Sequence, residues 1–192
     1  MLPCLPLDHV IVKLNFSNAF NYIRRDLILD NIATHTPNIY RLLHAVYCEP
    51  ILSFGQHQIL YMEGVQQGDR LGSLEFSEAV QPLLTSLHSE VKIGFMDDFT
   101  LSGDLRTVEN DVLAIMDSAA ETGLQLNQAK CEMIMDDFTL ISASSTFSQF
   151  IRTKKDEMLL LGVPVIKDKS QDTAIKHKTE ELHRAVQGLS LL

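Results

Sequence analysis

Basic residues are scarce in this sequence. Lys and Arg number 16 against 25 Asp and Glu, a net charge of −9 over 192 residues. Affinity for phosphate backbones comes mostly from Lys and Arg, so binding of nucleic acid by the whole surface is excluded. The deficit is uneven. Residues 1–150 carry a balance of −11 and residues 151–192 one of +2. Any positive face therefore falls near Arg152, Lys154, Lys155, Lys167 and Lys169, where a solvated charged surface explains the cluster equally well. Also missing is an apolar run near the roughly 18 residues that span a bilayer, so no membrane helix is expected. Met1–Leu7 has neither the basic end nor the long apolar stretch of a secretory signal. The three cysteines, Cys4, Cys48 and Cys131, form no CxxC pair. That odd, scattered set points to reduced thiols in an intracellular protein, with nucleus and cytoplasm not distinguished. No low-complexity tract or helical repeat occurs. What remains is an ordinary globular composition, 45% hydrophobic and 21% charged, at a length suited to a single domain over 1–192.

The pattern along the chain is mixed. Val10–Phe16 reads as a strand buried on both faces. Ile23, Leu27, Ile28 and Ile32 predict a helix over 22–34. A second helix starts after Thr36, with Pro37 in its first turn and Ile39, Leu42, Leu43 and Val46 on one face. Strands over 51–54 and 57–62 flank Gly55. A polar loop over 63–69 leads into a helix over 71–87 that contains Pro82. Val91–Ser102 reads as two strands around a turn at Met96-Asp97-Asp98. Leu105–Thr122 has helical period, with Gly123 as its C-cap. Strand-like pieces follow at 133–135, 138–141 and 158–165, and a charged helix at 172–189. The fold class expected is α/β (α+β), a mixed and mainly antiparallel sheet with helices packed on one face.

Two adjacent aspartates at a hairpin tip are costly unless a cation compensates their charge. Magnesium takes oxygen ligands, typically one or two carboxylates plus substrate phosphates. Two such ions about 4 Å apart can serve an in-line displacement at phosphorus. A solvated acidic turn is the plain alternative, since Asp is common in turns. Met-Asp-Asp-Phe-Thr-Leu also occurs twice, at 96–101 and 135–140, and its surroundings favour the first copy.

Those surroundings carry a resemblance. Val12-Lys13-Leu14-Asn15-Phe16-Ser17-Asn18-Ala19-Phe20 resembles the first palm motif of the reverse transcriptases. Glu63-Gly64-Val65-Gln66-Gln67-Gly68-Asp69 resembles the second motif and Phe95-Met96-Asp97-Asp98 the third. Gly123-Leu124-Gln125-Leu126-Asn127 with Lys130-Cys131-Glu132 resembles the fourth. Leu160-Leu161-Gly162-Val163-Pro164-Val165 resembles the fifth. The motifs keep their order over about 10–165, and the fourth resembles that of retroelements without long terminal repeats. The resemblance implies a polymerase palm performing RNA-templated DNA synthesis with two Mg2+ (or Mn2+) ions, on an RNA or DNA primer–template and a dNTP. It assigns metal coordination to Asp97, Asp98 and the Phe16 backbone carbonyl. Phe20 becomes the gate against the ribose 2′ hydroxyl, with ordinary core packing as its alternative. Gln67 and Gly68 line the incoming nucleotide, and Lys130 lies near its phosphates.

Three positions depart from that pattern. Asn15 stands where the family has a metal-bridging aspartate, and a neutral amide competes poorly for a hard cation. Arg70 replaces the proline that stiffens the second-motif loop, freeing its backbone. Glu75 replaces an apolar residue, where burial of a carboxylate would be expensive and exposure would not. Little length precedes Val10 for fingers, and 166–192 offers at most a thumb remnant. The resulting expectation is weak or absent catalysis with weakened metal binding. The alternatives are a non-catalytic binding or scaffold protein with a protein partner, and a retroelement remnant without a selected role.

Overall fold

The structure is a computed structural model that describes residues 6–48, 51–66, 68–142, 145–154, 159–160, 163–164, 176 and 179–180. Strand β1 (His9–Leu14) is the centre of a five-stranded sheet ordered β4-β5-β1-β6-β7. Helices α1 (Ala19–Tyr22), α2 (Arg25–His35) and α3 (Pro37–Tyr47) follow it, then a separate hairpin of β2 (Ile51–Phe54) and β3 (His57–Leu60). Helix α4 (Gly72–Ser86) leads to β4 (Val91–Phe95) and β5 (Asp98–Asp104). Helices α5 (Leu105–Asp117) and α6 (Ala119–Thr122) precede β6 (Glu132–Met135) and β7 (Ile151–Arg152). A last hairpin pairs β8 (Leu159–Leu160) with β9 (Val163–Pro164). Every neighbour in the large sheet is antiparallel except β6 with β7, so the expected mixed, mainly antiparallel sheet is present. No helix among the described residues is long and apolar enough to cross a membrane.

Alternation along β1 sets the core. Val10, Val12 and Leu14 are fully buried while His9, Ile11 and Lys13 are half-buried, so the expected burial on both faces is corrected: only one face of this strand is sealed. Register puts Leu101, Val12 and Met133 in one row across three strands, and Phe99 beside Leu14. All five side chains are wholly inaccessible, and burial of each such side chain contributes about 1.5–3 kcal/mol. Helix α5 lies against β5 and β1, presenting Val108, Val112 and Ile115. Its Asp111 is buried as well. It accepts hydrogen bonds from the Ser89 backbone N at 2.6 Å and Ser89 Oγ at 2.5 Å, which fixes the turn entering β4.

Several local expectations are corrected. The helix expected over 22–34 breaks at Ile23, whose backbone is extended, because its carbonyl accepts from Gly64 N. On α3 the buried side chains are Leu43 and Tyr47, whereas Leu42 and Val46 face outward. Phe138–Leu140 is a 3-10 turn and not a strand. Asp137 imposes it, accepting from Thr139 N at 2.9 Å and Thr139 Oγ1 at 2.6 Å. Pro82 sits within α4 without ending it. The helix expected over 172–189 and Gly162 of the fifth motif lie outside the described residues, apart from Lys176, Thr179 and Glu180.

Candidate active site

Met96 and Asp97 form the two-residue turn between β4 and β5, with Phe95 paired to Asp98. Asp97 is exposed and Asp98 half-buried. Met96 has φ +54°, one of two non-glycine residues among those described with positive φ. A turn with positive φ at its first central residue suits glycine and strains a longer side chain by about 1–2 kcal/mol. Replacing Met96 by glycine is expected to raise unfolding free energy by about 1 kcal/mol in urea titration. A loss of stability would show that the methionine side chain contributes more than its backbone costs.

The end of β1 lies beside this turn. Leu14 pairs with Phe99 as the last pair of the β1–β5 ladder, and Asn15 and Asp98 are the residues that adjoin this pair on the two strands. Phe16 meets Phe99 edge-on, with ring centroids 5.0 Å apart. The backbone of Asn15 is held on both sides. Its N–H donates to Cys131 Sγ at 3.3 Å, and its carbonyl accepts from Asn127 N at 2.8 Å. Burial pushes the Cys131 thiol up to about 11, so it stays protonated at neutral pH. Its Sγ lies 3.3 Å from the Asn127 carbonyl, to which the thiol donates. Cys131 is thus a buried small side chain, as expected, that also fastens Asn15. Sequence offered no signal for that bond, which joins residues 116 positions apart.

Other segments converge on the chain that follows. Ser17 N donates to Gln125 O at 2.8 Å, and Phe16 bridges Leu126. Gly64 N donates to Ile23 O at 2.8 Å and Val65 N to Phe20 O at 2.7 Å. At Gly64, with φ +75°, a Cβ would lie 2.5 Å from the Asn21 carbonyl oxygen, so only glycine permits this approach. The residues around 15–24, 63–65, 96–99 and 122–127 therefore form one connected unit. The second Met-Asp-Asp copy is elsewhere. Met135 pairs with Val10, at the opposite end of β1 and roughly 17 Å from Asn15 at the strand's rise per residue.

Comparison with known proteins identifies the family and the fold. Residues 5–165 match the family described as reverse transcriptase (RNA-dependent DNA polymerase). The chain belongs to the reverse transcriptase family. Among solved structures it is similar to apo telomerase from Candida tropicalis, with TM-score 0.58 and 12% identity over 81% of this chain and 31% of that one. It is also similar to Candida tropicalis telomerase in complex with a TWJ fragment of telomeric RNA, with TM-score 0.55 and 13% identity over 82% of this chain and 28% of that one. The chain spans less than a third of those proteins, and at such identities the likeness is one of fold. No match was found among curated protein sequences.

Other positions singled out by the reverse transcriptase motifs are more scattered. Phe20 is half-buried and stacks on Phe76, with centroids 4.5 Å apart and planes 10° from parallel. Gly68 is exposed with φ +90°. Gln67 lies outside the described residues. Lys130 is exposed at the end of the short turn Gln128–Lys130. Asp97 and Asp98 bring two carboxylates to the end of β1, and Asn15 adds a neutral amide. Among the described residues no group of three or more His, Cys, Asp or Glu side chains is placed to hold an ion. Two carboxylates and one neutral amide leave little negative charge to hold a pair of divalent ions.

Glu75, flagged by sequence, is fully buried. Tyr47 Oη donates to its Oε2 at 2.7 Å, and Arg25 lies close enough to act on it by charge. Burial holds the Glu75 carboxyl above the ordinary glutamate value of 4.5, with Asp69 pushing the same way and Tyr47 and Arg25 opposing. A carboxyl raised on folding binds its proton more tightly in the native state. Stability contributed by the protonated form is therefore lost as pH rises from 4.5 through the folded value. Glu75→Gln is expected to remove this loss, so that the variant's urea midpoint gains on the wild type from about pH 4.5 towards neutrality. A difference constant across that range would contradict the assignment.

Proposed function

We propose that this domain is a reverse transcriptase palm of the type carried by retroelements without long terminal repeats, with its polymerase activity impaired. Its ancestral reaction is RNA-templated nucleotidyl transfer to a primer 3′ hydroxyl, supported in the family by two Mg2+ or Mn2+ ions. The observation that supports the reading is the register of β1 with β5, whose last pair, Leu14 with Phe99, is adjoined by Asn15 on one strand and Asp98 on the other. The position next to the paired aspartates thus holds an amide where the family pattern has a third carboxylate. In this reading Asp97, Asp98 and the Phe16 carbonyl are the surviving metal ligands. Phe20, Gln67, Gly68 and Lys130 are the nucleotide-facing residues. RNA or DNA primer–template and a dNTP are the ligands, in an intracellular setting.

Loss of about 4 kcal/mol of transition-state stabilisation slows a reaction on the order of a thousandfold. Primer extension on a homopolymer template with Mg2+ or Mn2+ is accordingly expected to yield no product above background. Robust extension would overturn the proposal of impairment. A second reading is a palm retained for binding protein. It is favoured by the exposed Phe54, Leu60 and Met62 in and beside the β2–β3 hairpin together with the acidic balance of residues 1–150. Filter binding to a primer–template at low and moderate salt separates the two. A steep salt slope supports nucleic acid, and no binding supports the protein partner.

A further inference from the structure

A buried polar cluster lies behind the second-motif loop. Arg25 is 7% exposed and Glu75 is 0% exposed, and neither is part of the site at the end of β1. The Arg25 guanidinium donates to Gly64 O at 2.8 Å through Nε and to Tyr61 O through Nη1. It lies over two aromatic rings, 4.1 Å from the centroid of Tyr61 and 4.7 Å from that of Tyr47. Tyr47 Oη accepts from Gln66 N at 3.2 Å while donating to Glu75. Tyr61 Oη donates to Val65 O at 3.2 Å. Side chains from α2 and α3 thus end on the backbone of residues 61–66, and Glu75 of α4 backs Tyr47.

A core assembled for stability alone would not be built this way. Arg25 Nη2 and Glu75 Oε1 are buried and lack a hydrogen-bond partner among the described residues, and such groups are costly. Apolar side chains of similar volume commonly serve stability as well or better than a buried ion pair, whose attested advantage is fixing one arrangement. The loop served by this cluster is also the one where Arg70 replaces a stiffening proline. We propose that Arg25, Tyr47 and Glu75 are positioning residues that hold the backbone of residues 61–66 from behind in place of that lost stiffness. Glu75 then acts through Tyr47, and Tyr47 through the Gln66 amide. The proposal concerns loop order and stands whether or not the loop meets a nucleotide.

Hydrogen exchange on the full chain tests it, without any need for catalysis. Tyr47→Phe, which removes a single oxygen, is expected to speed exchange at Gln66 at least tenfold while amides of β1 and β5 keep their protection. Glu75→Leu leaves Arg25 and the Tyr47 hydroxyl without their acidic partner, and is expected to loosen Gln66 likewise and to lower the melting temperature. Glu75→Gln keeps an oxygen for the Tyr47 hydroxyl and is expected to retain wild-type protection. Unchanged exchange at Gln66 in Tyr47→Phe would overturn the proposal. So would a rise shared equally by β1 and β5, which marks global loosening. If the leucine variant fails to fold, the phenylalanine and glutamine variants decide the matter. A failure of the polymerase reading would leave all these outcomes unchanged.

Discussion

Gly123→Ala is expected to cost about 4 kcal/mol of folding stability, a large part of the 5–15 kcal/mol typical of a whole domain. Two terms add. Gly123 has φ +80° at the C-terminus of α6, a conformation that costs an L-residue about 1–2 kcal/mol. A Cβ there would also lie 1.9 Å from the Tyr22 carbonyl oxygen and 2.9 Å from its carbon. Backbone cannot rotate away as a side-chain tip can, so the segment 22–24 must shift. That shift strains the bond from Arg24 N to Thr122 O, 3.0 Å long, and overpacking of this kind typically costs 1–3 kcal/mol more. Gly55 is the control. It has φ +61° but open space around its Cβ position, so Gly55→Ala should show the conformational term alone, about 1 kcal/mol. Urea titration compares the two. Equal losses would mean that the approach of residue 123 to Tyr22 is not needed for the fold.

That glycine shows what a one-dimensional reading can and cannot reach. Its place as a helix C-cap was legible, because the periodicity of 105–122 ends there. Its contact with Tyr22 was not, since nothing local marks a residue a hundred positions away. The same division runs through the fold. β-Branched residues announced β1, strand-like runs announced β6 and the strands around the Met96–Asp97 turn, and Thr36-Pro37 announced α3. Missed were features set by tertiary partners. Ile23 leaves the helix because Gly64 claims its carbonyl, and Phe138–Leu140 is turned by a single aspartate side chain. On α3 the buried stripe runs through Tyr47 because Arg25 and Glu75 meet it there. In the candidate site, motif order identified the strand end and hairpin that come together. It favoured the first of the two Met-Asp-Asp copies, and only register shows that the second begins beside Val10, at the other end of β1. Glu75 stood out as an anomaly, and its partners in α2 and α3 became visible only once the helices were packed.

Asn15→Asp is expected to tighten binding of a divalent ion at the β4–β5 turn by roughly a hundredfold. An added carboxylate about 4 Å from a dication gains about 8 kcal/mol at an effective dielectric of 20. Repulsion from Asp97 and Asp98, about 5–6 kcal/mol at about 6 Å each, is present with and without the ion, so it lowers the stability of the metal-free variant and leaves the affinity unchanged. Stripping water from the carboxylate and the ion offsets on the order of 5 kcal/mol of the gain. The remaining ~3 kcal/mol corresponds to about two decades in affinity. Without metal the same repulsion should make the variant less stable than the wild type, so Mn2+ should raise its melting temperature far more than it raises that of the wild type. Equal shifts would place the binding elsewhere. Primer extension then separates two causes of silence. Recovery in the variant would assign the defect to residue 15, whereas continued inactivity with tight Mn2+ binding would assign it to grip on the primer–template.

The central proposal is spatial: Asn15 stands beside Asp97 and Asp98, at the position where the family pattern has a third carboxylate. Paramagnetic broadening of backbone amides by Mn2+, followed by NMR in the wild type and in Asn15→Asp, measures it directly. The account predicts that in the variant, at low Mn2+, broadening is confined to amides of residues 15–17 and 96–99, with weak or diffuse effects in the wild type. Broadening centred on Asp136 and Asp137, or identical in the two proteins, would contradict it.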